Sequence, residues 1–128
     1  MKNILFVAAL SLTSFMVHAE PLAGDAERGR LAFGSCRSCH YPEKIVGHHN
    51  GPNLHGIFGR RIASAPGYAY SEAFRTMNIV WTKETVAKLF EIGPNAYTPG
   101  TKMPVQTIGN DAEREELIRW LEKVTAPR

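Results

Sequence analysis

The chain holds two cysteines, Cys36 and Cys39, and a histidine, His40, follows the second directly in the stretch CRSCH. Two thiols at this spacing can serve as a short disulfide, a redox pair, half of a zinc site, or a pair of covalent anchors. A disulfide across two residues closes a very short loop and adds little stability, because the entropy it removes from the unfolded chain grows with loop length. A thioredoxin-like redox pair needs a strand-to-helix setting, whereas the preceding GDAERGRLAFGS is helical in pattern. A zinc site needs a second ligand pair; no further cysteine exists, and the adjacent His48 and His49 point apart. None of these gives His40 a task. Covalent haem attachment uses all three residues: the thiols add to two vinyl groups and the neighbouring imidazole reaches the iron from the same side. CRSCH therefore predicts one covalently attached haem c per chain.

The elements around this motif bound the rest. At 128 residues the chain is one domain behind an N-terminal segment that does not belong to it. Lys2, the apolar run Ile4–Val17 and the small-residue site Val17-His18-Ala19 predict a secretory signal peptide over 1–19, leaving a domain over 20–128 in the periplasm. The run is too short and too polar, with Ser11, Thr13 and Ser14 inside it, to predict stable membrane insertion. Removing it takes one lysine and no acid from a formal charge of +3, and no Lys/Arg block remains to hold nucleic acid. The Gly- and Pro-rich stretches 47–67 and 93–104 lack regular apolar positions, so the chain has a thin core of its own. A planar cofactor would complete it, with these loops as its walls. The remainder predicts short helices over 25–34, 71–76, 83–91 and 111–124, capped at Asp25, Ser71, Thr82 and Asn110. The last carries an apolar stripe at Leu117, Trp120, Leu121 and Val124. No strand of useful length is predicted, and the fold class is all-α.

What sits opposite His40 decides the chemistry. The thioether and imidazole candidates beyond the leader are His48, His49, His55, Met77 and Met103. His48 and His49 lie close to His40 in the chain, His55 reads as a loop histidine, and Met77 as an apolar residue near a helix end. Met103, in TPGTKMP, stands on a loop stiffened by two prolines.

Six stretches in order, CRSCH, GPNLHGIFGR, APGYAYS, Trp81, PGTKM and EREELIRWL, resemble the small class I c-type cytochromes of the mitochondrial-like and bacterial periplasmic branch. The resemblance runs from about Gly24 to Val124. It implies short helices and loops wrapped around one haem, with His40 and Met103 as its two axial ligands and the Pro52 carbonyl accepting the other imidazole N–H. It also implies that Arg60, Tyr70 and Trp81 lie around the haem propionates; from the residues alone, Trp81 reads as core and Arg60 as a solvated charge. Gly29, Phe33, Leu117 and Trp120 match the family's contact between first and last helices. The implied activity is not enzymatic: single electrons pass between redox partners, namely a quinol-oxidising complex, a terminal oxidase or a periplasmic dehydrogenase, by a monomer. A haem enzyme or gas-binding sensor with a labile sixth ligand, and a dedicated dehydrogenase subunit, are the other readings.

Three departures stand out. Leu89 or Phe90 occupies the region where the family commonly places a tyrosine beside the Met sulfur. Val105 follows Pro104 where an aromatic often shields the haem edge. The lysines that surround the family's exposed haem edge are replaced by Ser35, His49, Asn95, Ala96, Gly109 and Asn110, leaving Lys44 and Lys102, so electrostatic steering of partners is expected to be weak.

Overall fold

The computed structural model describes residues 23–104 and 106–127; the leader expected over 1–19 lies outside them, as does Val105. Among the described residues five α-helices follow in order, α1 (Ala23–Ala32), α2 (Glu72–Arg75), α3 (Lys83–Ile92), α4 (Pro94–Tyr97) and α5 (Asp111–Thr125), with 3-10 turns at Gly34–Ser38 and Lys44–Val46. The fold is all-α, and the one β-type pairing among the described residues is an isolated bridge between Arg61 and Val80.

Local chemistry accounts for most of the helix ends. Helix α1 starts two residues before the expected cap, so Asp25 lies inside its first turn, where a carboxylate complements the helix dipole and pairs with Arg28. Thr82 and Thr85 cap α3 reciprocally, each backbone N–H donating to the other's hydroxyl at 2.7 and 3.2 Å. Gly93, at φ 84°, stops α3 in the left-handed region, and Pro94 at once begins α4, its fixed φ suiting a first helical position. That short helix lies inside 93–104, which the sequence pattern left irregular. Asn110 accepts from the Glu113 N–H at 3.0 Å to start α5. Ser71 departs from expectation: it precedes α2, but its hydroxyl makes no cap bond.

Helices α1 and α5 cross at Gly29. A β-carbon there would sit 2.4 Å from both the Glu116 carbonyl oxygen and Trp120 Cβ. Phe33 (1 % exposed) packs its ring 4.9 Å from that of Trp120, Leu117 is fully buried, and Arg28 bridges to Glu116 at 2.7 Å. The buried face of α5 is shifted from the stripe read from sequence: Leu117 and Leu121 are buried together with Ile118 and Thr125, whereas Trp120 and Val124 are only partly buried. Thr125 binds the loop below, its carbonyl accepting from the Gly56 N–H at 2.6 Å. Gly29→Ala tests the crossing. Alanine improves helix propensity by about 1 kcal/mol, but the overlap is with backbone that only a shift of α5 can relieve, so a net loss of about 2 kcal/mol is expected in denaturant unfolding of the holoprotein.

The loops are fastened rather than free. Trp81 N–H donates to the Arg60 carbonyl at 2.9 Å, Gly59 N–H to the Trp81 carbonyl at 2.8 Å, and Ile62 N–H to the Ile79 carbonyl at 2.9 Å. These bonds hold segment 51–62 against the strand-like run before α3, with the buried Leu54, Ile57 and Ile62 turned into the core.

Candidate haem site

The CRSCH segment winds as the 3-10 turn Gly34–Ser38, with the Cys39 and His40 N–H groups both donating to the Cys36 carbonyl at 3.0 and 2.8 Å. Three residues per turn bring positions three apart onto one face, so Cys36 and Cys39 line the same cavity. They are free thiols, and burial pushes the Cys36 thiol above its usual range. Among the described residues no group of three or more His, Cys, Asp or Glu gathers as a metal site would require.

His40 is held by its far nitrogen. Its Nδ1–H donates to the Pro52 carbonyl at 2.8 Å, which leaves Nε2 as the lone-pair nitrogen. Burial pushes the imidazole below its usual range, against the smaller opposite effect of that bond, and so favours the neutral form that can ligate a metal. Gly51 covers the ring: a β-carbon there would meet His40 atoms at 2.3–2.8 Å, and Gly51 N–H donates to the Cys39 carbonyl at 2.8 Å. Only a residue without a side chain lets the loop lie this close.

Both thiols, His40 and Met103 line one cavity of about 380 Å³, within the usual size of a cofactor site. Its body is apolar, from Phe33, Leu54, Ile57, Phe74, Leu89 and Phe90; its polar groups include Arg60, Tyr70 and Ser71. Arg60 gives two N–H groups to the carbonyls of His55 and Asn53, each at 3.1 Å, while its Nε is buried with no partner. Burial pulls the Arg60 guanidinium below its usual range, with Tyr70 acting weakly the other way. Ser71 Oγ is a second buried atom without a partner, and Tyr70 accepts from the Ala65 N–H at 3.2 Å with its own proton free to donate. Buried donors of this kind are costly unless something accepts from them. An apolar planar group carrying carboxylates would meet both needs, so the residues present fit a haem. Trp81, 8 % exposed and stacked on Tyr97 with ring centroids 6.2 Å apart, is both core and cavity wall.

The other candidate ligands face elsewhere. His48 accepts from the Asn53 N–H at 2.9 Å and donates to the Pro66 carbonyl at 2.8 Å, which occupies both ring nitrogens. His49 donates to the Ser38 carbonyl at 3.0 Å on the exposed side. His55 borders a separate shallow depression with Lys44 and Pro66. The Met77 sulfur accepts from the buried Thr98 hydroxyl at 3.1 Å. Two structural residues were not singled out from sequence: Ser71, hidden behind its role as a helix cap, and Asn53, whose side-chain amide braces the carbonyls of Glu43 and Gly47 at 2.9 and 2.8 Å.

No family model matches the chain. Curated relatives do. Cytochrome c of Sesamum indicum is 38 % identical over 104 residues, covering 80 % of this chain and 93 % of the relative. Cytochrome c of Chlamydomonas reinhardtii is 40 % identical over 109 residues, 84 % of this chain and 96 % of the relative. That of Ginkgo biloba is 35 % identical over 109 residues, 84 % of this chain and 96 % of the relative. The chain belongs to the cytochrome c family. As a cytochrome c it is an electron carrier with one covalently attached haem c, not an enzyme, and its partners are redox proteins. The periplasmic placement is corrected: these relatives are plant and algal cytochromes c of the mitochondrial type, found in the intermembrane space. The reason for the error is physical. An apolar run ending in small residues speaks of crossing a membrane and carries nothing about which one. No helix of the described residues is long and apolar enough to cross a membrane.

Proposed function

We propose that Cys36 and Cys39 would tether the haem, that His40 and Met103 would ligate its iron, and that Arg60, Tyr70 and Trp81 would receive its propionates. One observation carries this reading: of the five candidates for the second ligand, Met103 alone shares a cavity wall with both thiols and His40. The haem supplies a one-electron ferrous–ferric couple. Pro52 fixes the imidazole tautomer, and the apolar walls keep the surroundings the same in both oxidation states, so little must reorganise when an electron passes. Arg60 supplies charge-assisted donors for the carboxylates. Residues 1–19 are removed as a leader, leaving 20–128 as the functional chain.

The partners are proposed to be a quinol-oxidising complex as donor and a terminal oxidase as acceptor, approached by a monomer with little electrostatic steering. Ser35, His49, Asn95, Ala96, Gly109 and Asn110 are all exposed where the family has lysines. Most other cations are matched: Arg37 pairs with Glu43 at 3.1 Å, Lys83 with Glu122 at 2.8 Å and Lys88 with Glu91 at 3.1 Å. A compensated surface has little far field for salt to screen. Stopped-flow oxidation of the ferrous holoprotein by a mitochondrial-type oxidase should therefore be slow and change by only about 2–3-fold over a tenfold range of ionic strength, well short of strongly steered pairs. A fast rate collapsing steeply with salt would show an unrecognised basic face. Failure to give up electrons to any such oxidase would count against the carrier's assigned acceptor.

A further inference from the structure

The loop that carries Met103 is fastened by side chains on both sides, and the two fastenings differ in burial. Beyond Met103, the Ser35 hydroxyl donates to the Gln106 side-chain oxygen at 3.2 Å, but this bond is exposed and water can serve either partner. Before Met103, Thr98 is 2 % exposed, and its hydroxyl donates to the Met77 sulfur at 3.1 Å, the one bond that hydroxyl makes among the described residues. A thioether is a weak acceptor. On a residue this buried, however, loss of the acceptor leaves a hydroxyl unpaired at the full cost of its desolvation.

Met77 is itself anchored. It follows α2, its N–H donates to the Phe74 carbonyl at 3.3 Å, and two residues on the Ile79 carbonyl accepts from the Ile62 N–H at 2.9 Å. From Thr98 two further bonds lead to Met103. The Thr98 carbonyl accepts from the Thr101 N–H at 3.0 Å, and the Thr101 hydroxyl accepts from the Met103 N–H at 3.1 Å. Hydrogen bonds thus join Met77 to Thr98, Thr98 to Thr101 and Thr101 to Met103, and the first of them crosses between segments 21 residues apart.

We propose that the Met77 sulfur, as the acceptor for Thr98, positions the Met103 loop and so resists the departure of Met103 from the iron. The cavity wall includes Thr101 and Met103 but neither Thr98 nor Met77, so both of the latter are positioning residues. A loop that swings away draws the Thr98 hydroxyl off its acceptor, so closed and open states differ by this bond. The inference rests on the proposed ligation by Met103.

The test is the apparent affinity of the ferric holoprotein for imidazole, which displaces Met103 and is read by loss of the far-red band. Met77→Leu keeps an apolar side chain of similar volume and removes the acceptor. With the Thr98 hydroxyl left unpaired in the closed loop, it should bind imidazole about tenfold more tightly than the unmodified protein, since imidazole takes only the open state. Adding Thr98→Val removes the unpaired hydroxyl at almost constant shape, and the double variant should return to within about twofold of the unmodified protein. Unchanged affinity in Met77→Leu would overturn the inference. So would a double variant that binds as tightly as Met77→Leu, because the effect would then come from the shape of leucine and not from the hydroxyl. In both cases the far-red band persists in the unmodified protein and the assignment of Met103 stands; absence of that band removes the assignment and the inference together. If Met77→Leu fails to fold, Met77→Ile with and without Thr98→Val decides by the same comparison.

Discussion

Replacing Met103 with alanine is expected to abolish the weak far-red absorption of the ferric holoprotein, to let carbon monoxide bind the ferrous form rapidly, and to lower the midpoint potential. Under the proposed ligation by His40 and Met103, the unmodified protein should show the band and bind no carbon monoxide at neutral pH. A thioether favours the ferrous state relative to harder ligands. A potential lower by roughly 100 mV corresponds to about 2.3 kcal/mol of lost preference, at about 59 mV per tenfold for one electron. The structure makes the experiment decisive. With both His48 nitrogens and the Met77 sulfur occupied by hydrogen bonds, neither residue is poised to replace Met103. Rapid carbon monoxide binding by the unmodified protein, or a spectrum unmoved by the substitution, would overturn the assignment of Met103 as the second ligand.

Removing both tethers, with Cys36→Ala and Cys39→Ala together, is expected to cause the largest loss of stability. In the unmodified protein the haem should resist acid-acetone extraction, and the mass should equal residues 20–128 plus one haem. In the double variant the haem should enter the solvent. A tether holds a group at an effective concentration on the order of mM, so at micromolar free haem the factor lost is roughly a thousandfold, about 4 kcal/mol of folded-state stabilisation. Small domains have little stability in reserve, and the cavity here is walled by core residues such as Phe33, Leu54 and Phe90, so thermal unfolding should fall well below that of the tethered protein. Extraction of the haem from unmodified protein would overturn the attachment assignment.

The expected leader illustrates the limit of composition: Lys2, the apolar run and Ala19 have the pattern of a segment suited to translocation, and the relatives, not the residues, exclude the periplasm. Helix α4 shows a limit of pattern. Gly93 and Pro94 were read as loop formers, yet a left-handed glycine followed by proline is also how one helix ends and the next begins.

CRSCH carried its chemistry on its face, because two thiols and an imidazole at that spacing leave covalent attachment as the one use for all three. The apolar spacing in α3 likewise foretold the buried Val86, Leu89 and Phe90, since helical period alone selects a face. The choice among the second ligands could not be made that way. Met77 and Met103 are alike as residues, and what separates them is that Thr98 claims one sulfur while the other stands on the cavity wall, a contact between segments distant in sequence. Arg60 reads as a solvated cation until the fold half-buries it and seals its Nε away without a partner, and Ser71 reads as a cap until its hydroxyl is turned inward. Local pattern encodes which face of an element meets the core; which polar atoms are left wanting, and therefore what the cavity is built to receive, exists only once the chain has closed around it.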